Sequence, residues 1–399
     1  MLKKIFKNSC IMFLKDLLIY SSIMFLCATI IITPKISALG VKIGLNFCSN
    51  TLIPSLFPFM VLSSFIVKSG IAENIGCLLE PITKFIFKLP GCTATTILMG
   101  LIGGYPSGAI GVNELYQQKK ISRKQAEQML CFTVGAGPAF VFGAVCSQLS
   151  HNYLIGIIIF SSQILSSLIL GIFIGLYSHN NVDNSKSQIT FTNKSFSCAL
   201  VESCLESAKS MFNMCAFVIL FSALLNIIKE SSAINTILNF LSYFNINPQM
   251  QKCIFPIILE VTNGCMAIIN NYAPTELISF MLGWAGICVH LQIFSITQSI
   301  NFSKLKFILF RFLHAVLSTI ISLFLFITLG TKTSIATIKL ILSSEKSDCY
   351  FSKGSIALIL LCIYFLFTIT PKKLERKKYG WRNKCEQHKK RKLKKAFRK

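Results

Sequence analysis

Charge is scarce in this sequence, and acid above all. Only 14 % of its 399 residues are charged and 15 are Asp or Glu, while 53 % are hydrophobic. A soluble globular domain carries about 25 % charge. The deficit excludes a water-soluble fold and makes the bilayer the solvent. Long polar intervals are missing too: the longest before the C-terminal tail, 178–197 and 331–354, are shorter than a folded soluble domain, which needs about 50 residues. No G-x-x-x-x-G-K-[ST] run occurs, so nucleotide-driven pumping within the chain is excluded. No C-x-x-C occurs among the 16 cysteines, which lie scattered in apolar runs and read as small buried hydrophobes. Paired carboxylates, a Ser/His arrangement and a metal-ligand cluster are also lacking. No enzyme, metal or cofactor is expected.

What charge there is sits unevenly. Residues 372–399 hold 15 Lys/Arg against two Glu, a net +13 of the total +25. This tail lacks aromatic interleaving and follows an apolar segment directly, so it reads as a juxtamembrane polybasic run near anionic lipid and not as a nucleic-acid arm. Expected partners are a small anionic substrate, membrane lipid and, left open, a second copy of the chain.

About 20 apolar residues span a bilayer core. Eight segments meet that length approximately: 12–33, 41–67, 129–149, 153–177, 207–228, 277–300, 307–330 and 355–371. The first is read as a retained helix, because Lys15-Asp16 interrupts it and its core is long for a signal peptide. Two further stretches are poor spanning helices. Residues 91–113 hold six glycines and Pro106, and 253–271 hold Pro256 and the polar run Glu260–Gly264. Backbone broken at membrane depth must be covered by protein or line a cavity, so both read as re-entrant hairpins. With both termini cytoplasmic, the basic loops around Lys119–Lys124 and Lys304–Lys306 fall inside, as positively charged loops should.

Self-similarity organises these segments. Residues 41–177 read as span, amphipathic segment (71–89), broken segment, span, span, and 207–330 repeat that order with an amphipathic segment at 233–244. The two begin on opposite sides. The fold class expected is therefore an all-α polytopic membrane protein, about eight transmembrane helices plus two re-entrant hairpins in an inverted repeat. The division follows: 1–40 an N-terminal helix, 41–177 the first repeat, 178–206 a cytoplasmic linker, 207–330 the inverted repeat, 331–371 a loop and last helix, 372–399 the tail. Gly/Pro-interrupted segments at matching places of inverted halves point to the substrate site of a secondary transporter.

The site candidates are those breaks. Gly103, Gly104, Tyr105, Pro106, Ser107 and Gly108 form the first, where a half-helix N-terminus would favour an anion. Thr262, Asn263 and Gly264 form the second, and Gly137 and Pro138 would lie against a hairpin tip. Glu260 is the candidate for a proton or cation site, since an intramembrane acid normally faces a partner or an aqueous path. His290, Gln292 and His314 read as packing groups. Arg311 reads as snorkelling from a helix end.

Four of these motifs, Pro54-Ser55-Leu56-Phe57-Pro58-Phe59, Gly104-Tyr105-Pro106-Ser107-Gly108, Ile121-Ser122-Arg123-Lys124-Gln125-Ala126-Glu127 and Gly137-Pro138-Ala139-Phe140, occur in order. Together they resemble the YlbJ-type sporulation integral membrane protein family, related to the nucleoside-recognition gate domains of nucleoside transporters. The resemblance implies a mother-cell protein of an endospore former, in the outer forespore membrane, moving dipicolinic acid toward the forespore. Nucleoside or ion-coupled transport, and a non-transporting assembly or gate role, are the alternatives.

Overall fold

The computed structural model describes Leu17, Tyr20, Ser21, Met24 and residues 27–69, 78–149, 153–177, 196–243 and 246–329. All belong to the first of two compact units, Met1–Ser344; the second, Glu345–Lys399, lies outside the described residues. Among the described residues every regular element is helical.

The first half opens with α1 (Pro34–Phe47), which a π-helical turn (Cys48–Leu52) joins to α2 (Ile53–Lys68). After a π-helical segment Thr83–Phe87 come α3 (Thr93–Gly103), α4 (Tyr105–Gln117), α5 (Arg123–Leu130), a π-helical stretch Ala139–Val145, and α6 (Tyr153–Tyr177). The second half runs α7 (Phe196–Glu230), α8 (Ser232–Ser242), α9 (Pro248–Leu259), α10 (Val261–Asn270), α11 (Glu276–Trp284), α12 (Gly286–Ile296) and α13 (Lys304–Thr328). Long helix, short helix, broken pair, broken span and long helix therefore occur twice in the same order.

Among the described residues five helices are long and apolar enough to cross a membrane: Pro34–Ile66, Tyr153–Tyr177, Phe196–Glu230, Glu276–Ile296 and Lys304–Thr328. They answer to the expected spans 41–67, 153–177, 207–228, 277–300 and 307–330. Of the remaining three, 355–371 lies outside the described residues, as does most of 12–33. The span expected at 129–149 is corrected. Its chain leaves α5 at Leu130, runs without regular helix to Gly137, and coils again only from Pro138. Gly135, Gly137 and Pro138 supply no helix propensity there, and the freed carbonyls find partners on distant helices. Helix α7 also begins inside the expected 178–206 linker. Its polar first turns carry Glu202 and Glu206, which meet Lys68 Nζ at 3.6 and 2.7 Å.

The long helices pack through small residues, as helices must when lipid is as apolar as leucine. Gly40 and Gly44 form a G-x-x-x-G pair on α1; a Cβ at Gly40 would fall 2.7 Å from the Ala223 Cα, and one at Gly44 2.9 Å from the Ile219 Cα. Lys68, at the far end of α2, meets Glu206 near the start of α7. Ascending positions on α1–α2 thus meet descending positions on α7. The leading helices of the two halves run antiparallel.

The broken segment 91–113 is a hairpin. Gly108 on α4 lies against Gly100 on α3, and Gly111 against the Thr96 side chain. A Cβ at either Gly100 or Gly108 would collide with the carbonyl oxygen of Thr133. The glycines expected as substrate contacts thus include one, Gly108, committed to close packing. In the second half α9 and α10 pack on each other in the same way, whereas α11 and α12 continue one another as a single interrupted span.

Gly108→Val should reduce stability in detergent by about 1–3 kcal/mol through overpacking. Gly135→Ala, at a glycine with nothing within 4 Å of an added Cβ, is the control that should leave the thermal midpoint unchanged. An undisturbed midpoint in Gly108→Val would show that the hairpin arms do not meet there.

Candidate functional site

Four helix interruptions converge in two pairs. Gly104, between α3 and α4, has φ 84° and ψ −175°, a conformation that excludes a side chain at no cost only for glycine. Its neighbour is Gly137 in the interrupted stretch after α5, where a Cβ would approach the Gly104 nitrogen to 2.9 Å. In the second half the break between α9 and α10 falls at Glu260, in extended conformation, and the break between α11 and α12 at Ala285 and Gly286, both with positive φ. A Cβ on Gly286 would lie 2.9 Å from the Glu260 nitrogen. In each half, then, the hairpin tip rests on the interruption of the following segment.

The two tips are chemically unlike. At the first, α4 starts with no side-chain cap. The Tyr105 hydroxyl donates across the halves to the Leu282 carbonyl at 2.8 Å, and the Ser107 hydroxyl turns back to the Gly103 carbonyl at 2.9 Å. Pro106 and Gly108 are buried in the helix start. The space beside them, bounded by Gly104, Pro106, Gly137 and Met214, is about 30 Å³, room for about one water. At the second, Glu260 caps α10 with its own carboxylate. Oε1 accepts from the Thr262 N–H at 2.9 Å, and Oε2 from the Asn263 N–H at 2.7 Å and the Asn263 side-chain amide at 2.9 Å. Glu260 is 1 % exposed. A charge aligned with the positive end of a helix and bonded to its free N–H groups is the stabilising arrangement for a buried carboxylate.

The Asn263 amide also donates to the Ser222 hydroxyl on α7 at 2.9 Å. Thr262, Asn263 and Ser222 form the floor of a cleft of about 450 Å³ between α1, α7, α8 and the second hairpin. Phe47, Val218 and Phe255 furnish apolar wall, and the exposed Lys229 and Lys252 stand among the lining residues. No acidic residue is among them. Gly264 does not reach the cleft; it packs on the Met281 sulfur. Of the sequence candidates, then, the structure brings Thr262, Asn263 and Glu260 together, and Gly104 with Gly137 at the other tip. Ser222, Lys229 and Lys252 were not anticipated; the lysines carry the signal of cations at the ends of an apolar helix and a hairpin, and nothing local marks Ser222.

Arg311 requires a correction. It does not snorkel: it is fully buried. Its guanidinium donates to the carbonyls of Val134, in the interrupted stretch of the first half, and Gly283, at the broken end of α11, and to His314 Nδ1 at 2.9 Å. Guanidinium can only donate, so His314 Nδ1 accepts and Nε2 carries the proton, donating to the Gln163 carbonyl at 3.1 Å. Gln163 in turn donates to the Ser279 carbonyl at 2.9 Å, which also accepts from Ser318 at 3.0 Å. Ser167 donates to the Phe132 carbonyl. Helix ends are carbonyl-rich and partly negative, and a cation placed between two of them needs no carboxylate. His290 packs edge-on between Trp284 and Phe307, and Gln292 is buried against Cys288.

Comparison with known proteins agrees with the motifs. Residues 50–150, which contain the first hairpin and the interrupted stretch after α5, match the Gate family, described as nucleoside recognition. Over 344 residues the chain is 27 % identical to the sporulation integral membrane protein YlbJ of Bacillus subtilis (strain 168), covering 80 % of this chain and 84 % of that one. No solved structure matches.

Replacing Arg311 by methionine strands the Val134 and Gly283 carbonyls, at about 1–3 kcal/mol for each buried unsatisfied group. The expected result is a large fall in thermal stability in detergent. Arg311→Lys, which supplies donors from one point instead of a fork, should recover only part of it. Full stability of the methionine variant would remove the guanidinium from this structural role.

Proposed function

We propose that the protein is a secondary carrier of a small organic anion, with dipicolinic acid, an aromatic dicarboxylate, as the particular substrate. The observation that carries this reading is the cleft at the second hairpin. Its volume lies in the range of small-molecule sites, about 300–1,000 Å³. It combines apolar wall for a ring, hydroxyl and amide groups at its floor, and two lysines with no opposing acid. Carboxylates favour such a set, because charge-assisted bonds are the stronger ones.

The relative's name supports a sporulation setting, and the match to the Gate family supports a transporter-like role. On this reading the protein sits in the outer forespore membrane with both termini in the mother-cell cytoplasm. The two tips fit alternating access: one hairpin borders a cleft of about 450 Å³ and the other a space of about 30 Å³. Exchange of these roles between inverted halves would carry the substrate across.

The description of the Gate family as nucleoside recognition favours a second reading, in which the Asn263 and Gln251 amides bind a base. Purified protein in liposomes, offered labelled dipicolinate with unlabelled aromatic carboxylates or nucleosides as competitors, separates the two. Lys229→Ala with Lys252→Ala should slow dipicolinate uptake about tenfold to a hundredfold, the worth of about 1.5–3 kcal/mol of lost charge-assisted bonding. Undiminished uptake by the double variant would sink the cleft as the site. Competition by nucleosides alone would favour the second reading, and no flux of any probe would favour an assembly role.

A further inference from the structure

Glu260 has no role in the site described so far beyond capping its helix. Every hydrogen bond its carboxylate accepts comes from a donor at its own helix start. The titratable groups that face it are thiols and a phenol: Cys48 from the π-helical turn, Tyr105 from α4, Cys265 from α10 and Cys288 from α12. The charged groups of the packed elements α7, α9 and α11 that border this region, Lys229, Glu230, Lys252 and Glu276, are at helix ends or exposed. His290 on α12 is held between Trp284 and Phe307, and Arg311 is committed to Val134, Gly283 and His314. Among the described residues Glu260 makes no ion pair. A metal cation would have to displace three N–H groups to reach this carboxylate, whereas a proton adds to one of its oxygens without displacing the helix start.

Resting on the carrier reading above, we propose that Glu260 is the proton-coupling residue and that the Asn263 amide transmits its protonation state to the cleft. With Glu260 ionised, the two amide hydrogens of Asn263 are spent on Glu260 Oε2 and Ser222 Oγ. A proton added to Oε2 turns that oxygen into a donor, which then requires an acceptor. The Asn263 carbonyl oxygen is the group within reach. Turning the amide over pairs it with the carboxylic O–H and directs the NH₂ group to the cleft that Asn263 lines. The amide oxygen then also stands where Ser222, which accepts from Asn263 in the ionised state, can donate to it. Protonation therefore turns one donor group, the Asn263 NH₂, to the floor of the cleft, where an anionic carboxylate accepts it. Proton and anion favour each other's binding, as reciprocal linkage requires, and one proton crosses with each anion.

The test uses the full chain in liposomes, with dipicolinate as probe and a pH gradient imposed in either direction. Wild-type protein should accumulate dipicolinate against its gradient when the side of entry is acid, and a sodium gradient should drive nothing. Glu260→Gln, fixed in the neutral form with an amide that can donate to Asn263, should keep dipicolinate exchange between equal pools while losing gradient-driven accumulation. A second readout needs no transport. Adding dipicolinate to purified, weakly buffered protein should take up about one proton per anion bound, the signature of a linked protonation. That uptake should vanish in Glu260→Gln and fall in Asn263→Ala. Accumulation by Glu260→Gln at the wild-type level, proton uptake undiminished in Asn263→Ala, or drive by sodium each overturns the proposal. Dipicolinate flux that ignores pH overturns the coupling alone, whereas absence of flux and of binding by the wild type overturns the carrier reading beneath it.

Discussion

A backbone interrupted inside a membrane has to find hydrogen-bond partners within the protein, because lipid supplies none. This chain is interrupted at Gly104, at 131–137, at Glu260 and at Ala285–Gly286, and most of its buried polar chemistry follows from that debt. Tyr105 serves the Leu282 carbonyl, Ser167 the Phe132 carbonyl, and Arg311 the carbonyls of Val134 and Gly283. Glu260 answers the opposite need, accepting from the N–H groups at the start of α10. Cations and hydroxyls lie at carbonyl ends and the carboxylate at an amide end, so each charge sits where the helix dipole welcomes it.

These partners also define which parts of the molecule are tied together. Tyr105 belongs to the first half and Leu282 to the second; Arg311 belongs to the second and reaches Val134 in the first. His314 and Gln163 extend the same connection between α13 and α6. Breaking any of these bonds would strand a buried polar group, which costs far more than a satisfied bond contributes. The centre is therefore a frame held by these bonds. Unfilled volume lies elsewhere, between the second hairpin and α1, α7 and α8.

Much of this was legible in the sequence, for reasons that can be stated. Glycine clusters and a Pro-flanked polar run are rare inside apolar segments, so both hairpins and their break positions were read from composition. The order of elements followed from segment lengths. What escaped were properties fixed by distant contacts. Residues 129–149 form an apolar run long enough for a helix, and hydropathy carries no record that Ser167 and Arg311 would satisfy its freed carbonyls. Arg311 lies two turns into α13, where a snorkelling and a buried arginine share the same sequence context; only the position of two other helix ends decides between them. Ser222 and the two lysines acquire meaning only when α7 is laid beside the second hairpin.

On the carrier reading proposed above, the difference between the tips bears on how the two halves can share one cycle. At the second, the place an external anion would take at the helix start is already held by Glu260, so a substrate there meets the outer ring of Ser222, Asn263 and Thr262 and not the bare helix end. At the first, Gly104 offers no side chain and α4 begins uncapped. Two halves of like architecture thus present a self-neutralised terminus and an unneutralised one. On the proton-coupling proposal a titratable carboxylate stands at one tip alone, so protonation changes the charge of that tip and leaves the other untouched; a carrier that reorients only with proton and anion bound together, or with neither, converts a proton gradient into a substrate gradient.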